Sequence, residues 1–243
     1  MFSKAAKLKG KVDDENPYWI SFSDIMAGLL VIFILAALQL ILQLTQQQVD
    51  VNRKISEIEN AKKIRSELLA DVKRALKKQG IEVEISDNES VLRIPSSTLN
   101  FASDHANIPE QQKGIVEKIG IALVDAIKSS KRGAHIDTIF IEGHTDSLSS
   151  NYKDVGNWLL SADRAVSIWR YWGSKESTHE LWDLKNYRNE RMFSVSGYAE
   201  TRRVIEDDKT DILREKNRRI DLRFTMKQPR TCEYKQISGA SSC

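Results

Sequence analysis

The chain carries little net charge and almost no cysteine, and each shortage closes off a class of function. Over 243 residues the formal charge is only +3, and Lys and Arg alternate with Asp and Glu instead of gathering into a basic stripe. The electrostatic footprint of a nucleic-acid-binding protein is therefore missing, and no direct nucleic-acid partner is expected. The two cysteines, Cys232 and Cys243, lie at the extreme C-terminus, outside any CxxC or Cys/His spacing, so no metal site is readable. Apolar residues make up 41 % and charged residues 29 %, too polar a balance for a chain that crosses a membrane many times. What remains is one domain of ordinary size plus about a hundred further residues.

One long apolar run is present. From Trp19 to Leu44 the chain reads WISFSDIMAGLLVIFILAALQLILQL, and Ile25–Leu38 contains no charged or amide side chain. About twenty such residues make a helix that spans a hydrocarbon core of roughly 30 Å, which predicts a single transmembrane helix over 19–44 behind a leader, 1–18. Lys4, Lys7, Lys9 and Lys11 in the leader, with Tyr18 and Trp19 as interfacial anchors, place the N-terminus in the cytoplasm. Everything after Leu44 is then expected across the bacterial inner membrane, in the periplasm. A cleaved secretory signal shares this general form, but the run exceeds the roughly 7–15 apolar residues of a signal. In an oxidising compartment Cys232 and Cys243 are equally open to a disulfide and to free or intermolecular thiols.

Asp24 is the anomaly of the apolar segment. It sits one turn inside the cytoplasmic end, beside Ser21 and Ser23, with no basic residue within a turn. A carboxylate at the centre of a spanning helix costs on the order of 2.5–3.5 kcal/mol, less near the interface. Either it reaches back to the headgroups or caps the helix, or it sheds its charge by taking up a proton or sodium ion. The second reading makes the ion a cargo, requires no cofactor, and needs a multi-helix membrane partner, because one helix encloses no pathway.

The stretch Ser23-Asp24-Ile25-Met26-Ala27-Gly28-Leu29-Leu30 resembles the single-helix subunits of the ion-driven stator family, which includes MotB, ExbD and TolR. That resemblance implies that Asp24 is the ion-carrying residue. The longer wording NPYWISFSDIMAGLLVIF is more similar to the ZorB-type branch, from Zorya anti-phage defence systems, than to the flagellar branch. It implies a ZorA/MotA-like ring as partner. A flagellar MotB-type stator and a passive wall tether are the alternatives.

Residues Thr45–Gln79 lack Pro and Gly, and Val51, Ile55, Ile58, Ala61, Ile64, Leu68, Val72 and Ala75 recur at three- and four-residue steps. This predicts a helical linker over 45–80 that stops at Gly80. Its stripe suits a parallel coiled coil between two copies or packing on the chain's own domain, and the residues alone do not choose. A self-dimer is implied by the stator resemblance.

From 81 to 226 short apolar runs alternate with helical stretches. Strands are expected near Glu82–Ile85, Val91–Ile94, Thr138–Glu142, Phe193–Ser196 and Ile220–Phe224, and helices over Pro109–Lys128 and Asn157–Trp172, ahead of a tail at 227–243. The pattern predicts an α+β domain with helices on one face of a sheet. Three fragments in order, Ile141-Glu142-Gly143-His144-Thr145-Asp146, Asn157-Trp158-Leu159-Leu160-Ser161-Ala162-Asp163-Arg164-Ala165 and Asn217-Arg218-Arg219-Ile220-Asp221, resemble the OmpA-like peptidoglycan-binding domain. The resemblance spans Val83 to Phe224 and implies a β-α-β-α-β sheet.

Asp146 and Arg164 supply one anion and one guanidinium, a pair suited to a zwitterion bearing an amine and a carboxylate, such as diaminopimelate in peptidoglycan. The alternative is a salt bridge with no ligand. The resemblance further implies that Asn157, Leu160 and Ser161 line the same cleft and that Asn217 and Arg218 border it. His144 has no second ligand at metal spacing and reads as a structural strand-end residue. No nucleophile–base pair stands out, and the chain is read as a non-enzyme. Two departures from the family pattern are the lengthened stretch between Asp146 and Asn157, and an insertion at Ser177–Glu190 expected to cover a dimer face or a neighbouring domain.

Overall fold

A computed structural model of the chain describes residues 17–228. The basic leader and the Cys232–Cys243 question lie outside the described residues. The chain divides into two compact units between Ile55 and Ser56.

The first unit is built on α1 (Pro17–Lys77). Pro17 suits the first turn of a helix, where its fixed φ is already helical and a missing N–H is no loss. Large apolar side chains from Ile25 to Leu44 stay between 43 % and 70 % exposed, so no protein surrounds them within the chain. Among the described residues this is the one helix long and apolar enough to cross a membrane.

The second unit begins with the last turns of α1. Leu68, Leu69, Val72 and Leu76 are buried in the domain core, whereas Val51, Ile55 and Ile58 are exposed. The stripe that looked uniform in sequence therefore divides, and its C-terminal part packs on the chain's own domain. The chain leaves the helix through Gly80, whose φ of +73° only glycine adopts without strain. Arg132 Nη1 fastens the helix through Asp71 at 2.6 Å, and hydrogen bonding to that guanidinium lowers the Asp71 pKa against the opposing effect of burial.

Five strands, β1 (Glu84–Ser86), β2 (Val91–Pro95), β3 (Ile136–His144), β4 (Phe193–Gly197) and β5 (Arg219–Met226), form one sheet in the order β1-β2-β5-β3-β4. Only β3 and β4 run parallel, joined through α3 (Asn157–Ser174), while α2 (Lys113–Lys128) precedes β3 and α4 (Asp211–Asn217) precedes β5. Strand alternation turns Leu92, Ile94, Ile139, Ile141, Ile220, Leu222 and Phe224 into the core.

The other face of the sheet is charged. Arg93 Nε and Arg219 Nε grip the two oxygens of Asp221 at 3.1 and 3.0 Å, and Arg223 Nε holds Glu142 Oε1 at 2.8 Å. His144 lies buried among them, stacked on Tyr198 at 5.5 Å, with neither ring nitrogen hydrogen-bonded. Burial first, then the Arg219 charge, pushes its pKa down to about 3, so the ring is neutral. Glu142, His144 and Asp221 place ligating atoms within 4.8 Å of one another, a grouping that is not apparent from spacing. Arg93 and Arg219 occupy Asp221 and Arg223 holds one oxygen of Glu142, leaving Glu142 Oε2 without a hydrogen bond; a divalent cation there would meet the field of three guanidinium groups.

The insertion at Ser177–Glu190 packs on its own domain. Thr178 and Leu181 are fully buried, and the Trp182 ring stacks on Trp169 at 4.9 Å. It fits because Gly173 leaves the space that a side chain there would take from Trp182.

Candidate functional site

The site is positioned by a close approach between α3 and the parallel strand pair. Gly143 and Gly197 face each other in register; the Ser161 backbone lies on Gly143, and the Ala162 backbone and Ser161 hydroxyl lie on Gly197. A Cβ on Gly143 would collide with the Ser161 carbonyl, and one on Gly197 would stand 2.5 Å from Ala162 N. Ser161 is fully buried. Its hydroxyl donates to the Trp158 carbonyl at 2.9 Å and accepts the Ala199 N–H at 3.0 Å. Helix α3 is thereby held at the ends of β3 and β4, with Asp146 two residues beyond β3.

A cleft of about 400 Å³ opens there, lined by Asp146, Asn157, Leu160, Arg164 and Arg218 among the expected residues. Arg164 is 5 % exposed. Its Nε and Nη2 donate to the carbonyls of His105 and Ala102 at 3.0 and 3.1 Å, and its guanidinium lies over the Phe101 ring at 5.2 Å. Burial lowers its pKa to about 10, with Asp146 acting in the opposite sense, so it stays cationic at neutral pH. Two of its five N–H groups are used in this way, and the fork is locked in one orientation.

Asp146 is not bridged to Arg164. Its Oδ2 accepts from Arg218 Nη1 at 2.8 Å and its Oδ1 from the Leu148 N–H at 3.1 Å, while Arg218 also donates to Asp211 at 3.1 Å. Asn157 Nδ2 donates to the Leu148 carbonyl at 2.8 Å and to Glu200 at 3.0 Å, fixing the rim. With Asp104 and Asp211 also on the wall, two guanidinium groups and three carboxylates face one space. Such a lining is chemically suited to both ends of a zwitterion, a carboxylate at a guanidinium and an ammonium at the aspartates.

Two expected cleft residues belong elsewhere. The Ser161 hydroxyl points into the helix–sheet contact. Asn217 is fully buried; its Oδ1 accepts from Val204 N and Ile205 N at 2.8 and 3.0 Å, and its Nδ2 donates to the Ile205 carbonyl and Asp208, both at 2.8 Å. Asp208 in turn accepts the Ser147 N–H at 3.1 Å, so Asn217 staples the loop behind Asp146. Conversely, sequence reasoning passed over Asn100–Asp104 and Asp211. Ala102 and His105 act through backbone carbonyls, which leave no side-chain signal. The polar FASDHAN run between β2 and α2 was the available hint at Asp104, an exposed carboxylate in a left-handed turn at φ +52°.

In the first unit Asp24 is exposed and has no hydrogen bond or ion pair among the described residues. Ala27 and Gly28 follow one turn on, and an added Cβ at Gly28 would meet nothing within 4 Å. Small side chains beside a carboxylate let a neighbouring helix come close.

The OmpA family model matches residues 100–218, the stretch that contains every cleft residue named above. The chain is 26 % identical over 238 residues to the uncharacterized protein YtxE of Bacillus subtilis, covering 88 % of this chain and 90 % of that one. It is 24 % identical over 206 residues to the Zorya protein ZorB of Escherichia coli, covering 81 % and 83 %. Among solved structures, a MotB-like protein from Desulfovibrio vulgaris shares the fold with a TM-score of 0.51 at 18 % identity, over 70 % of this chain and 98 % of that chain. In the order of its parts the chain joins one long apolar helix to an OmpA-like domain, and over most of its length it is similar to ZorB.

Proposed function

We propose that the chain is the wall-anchored stator subunit of an ion-driven motor in the bacterial inner membrane, of the ZorB type and acting in anti-phage defence. The observation that carries this reading is the presence in one chain of two parts that a simple tether would not combine. One is a lone carboxylate, Asp24, in an apolar helix. The other is an amphoteric cleft at Asp146, Arg164 and Arg218 that suits the zwitterionic head of diaminopimelate in peptidoglycan. Asp24 carries the proton or sodium ion, shielded from lipid by a ZorA-like ring. The exposed apolar side chains Val51, Ile55 and Ile58 support pairing with a second copy of the chain ahead of the wall domain. The N-terminus is cytoplasmic and the wall domain periplasmic in this arrangement.

Cosedimentation of the full chain with purified sacculi tests the anchoring half. Wild type and Asp24→Asn should pellet equally, and Arg164→Gln should remain in the supernatant. Equal pelleting of all three would remove the cleft from the proposal.

A further inference from the structure

A second cavity, of about 730 Å³, is also walled by α3. No residue lines both, but the same segments contribute to each. The 100–108 loop gives Asn100–Asp104 to the first and Ala106–Ile108 to the second, and the lengthened loop gives Leu148–Ser150 to the first and Tyr152 and Lys153 to the second. Helix α3 turns Leu160 and Arg164 to one, and Asp163 and Arg170 to the other.

The second cavity is cationic. Lys113, Lys153 and Arg170 face it, against the single carboxylate of Asp163. Lys153 Nζ and the Tyr152 hydroxyl both bind Asp163, at 2.7 and 3.0 Å, and Lys113 pairs with Glu110 at 2.5 Å. Arg170, exposed on α3, makes no close ion pair among the described residues, and its charge acts on Asp163 from further off. The loop wall is held with some strain, since Lys153 and Asp154 both take left-handed backbone, at φ 46° and 59°, which non-glycine residues avoid. The bonds to Asp163 offset that strain and fix the lengthened loop against α3.

Accepting that the first cleft binds the peptidoglycan stem peptide, the neighbouring chemistry is fixed covalently. The diaminopimelate zwitterion is joined to a glutamate that can carry a free carboxylate. We propose that the Arg170 cavity is the subsite for that carboxylate, so that the protein selects stem peptides whose glutamate is acidic over those in which it is amidated. Arg164 holds the head, and Arg170 reads the charge of the adjacent residue. Neutralising that charge by amidation leaves the shape almost unchanged, which makes the discrimination electrostatic.

The test is calorimetric titration of the full chain in nanodiscs with three probes: meso-diaminopimelate, the tripeptide L-Ala-γ-D-Glu-meso-diaminopimelate, and the same tripeptide with its glutamate carboxylate amidated. Wild type should prefer the acidic tripeptide to the amide by about fivefold, as one charged contact in a partly solvated groove provides. Arg170→Gln should abolish that preference and leave diaminopimelate binding unchanged. If wild type binds diaminopimelate but shows no preference, or if Arg170→Gln keeps it, the subsite is overturned and the wall-binding reading stands. If wild type binds none of the three probes, the wall-binding reading fails, and the subsite with it.

Discussion

The carbonyl oxygen of Ser161 fills the space that a side chain on Gly143 would need. This contact seats α3 on the β3–β4 pair and sets where Leu160 and Arg164 stand relative to Asp146. Gly143→Ala therefore overpacks the one place where the helix cannot retreat without moving the cleft. It should destabilise the domain by about 3 kcal/mol and weaken sacculus binding even under conditions where the fold persists. Gly114→Ala, in α2 with nothing within 4 Å of the new Cβ, is the matched control and should stabilise by about 0.5–1 kcal/mol. Denaturant titration of both variants checks the contrast.

Ser161 and Asn217 should behave as structural residues despite their motif positions. Ser161→Ala removes the acceptor for the buried Ala199 N–H and should cost about 1–2 kcal/mol, and Asn217→Ala, which strips the 204–208 loop of its staple, about 3 kcal/mol. The folded fraction of each should bind diaminopimelate with wild-type affinity. A weaker affinity for folded Ser161→Ala would return that hydroxyl to the cleft.

Arg164→Lys should not be conservative. An ammonium cannot span the Ala102 and His105 carbonyls while also presenting a two-pronged donor to a carboxylate. A loss of diaminopimelate affinity of at least about tenfold is expected, read by calorimetry. Wild-type affinity in this variant would show that charge alone, without the fork, suffices.

The buried neutral His144 predicts a specific pH dependence. Its folded pKa, about 3, lies below the ordinary 6.5, so as pH falls through 6.5 the unfolded chain takes up a proton that the folded chain refuses. Stability contributed by this residue is complete above that value and declines until about pH 3, where the folded state also protonates. Between pH 7.5 and 5.0 the loss should be about 2 kcal/mol, ahead of the range in which carboxylates titrate. In His144→Phe, which keeps a ring against Tyr198, unfolding free energies at the two pH values should converge. An unchanged difference in the variant would assign the effect to another group.

Much of the fold was legible because alternation and helical periodicity report burial directly: Leu92 and Ile94, Ile139 and Ile141, and Ile220 and Leu222 all mark core faces in sequence and structure. Asp146 and Arg164, singled out in sequence, come together in one cleft. The cleft was misread where a polar residue in a motif serves the backbone, since Ser161 and Asn217 look the same in sequence whether they face a ligand or a loop. The Asp146–Arg218 pair joins residues far apart in the chain, and no local pattern encodes it. The fate of the linker stripe was open for the same reason: Val51 and Leu68 read alike, and only the tertiary fold buries one and leaves the other exposed.

The central claim is that Asp24 moves ions while the cleft holds the wall. It is tested most directly by ion flux in cells that express the full chain with its ring-forming membrane partner, followed with proton- and sodium-sensitive dyes. The account predicts that Asp24→Asn reduces flux to the level of cells lacking the chain, while expression and sacculus binding stay at wild-type levels. Wild-type flux through Asp24→Asn would contradict it.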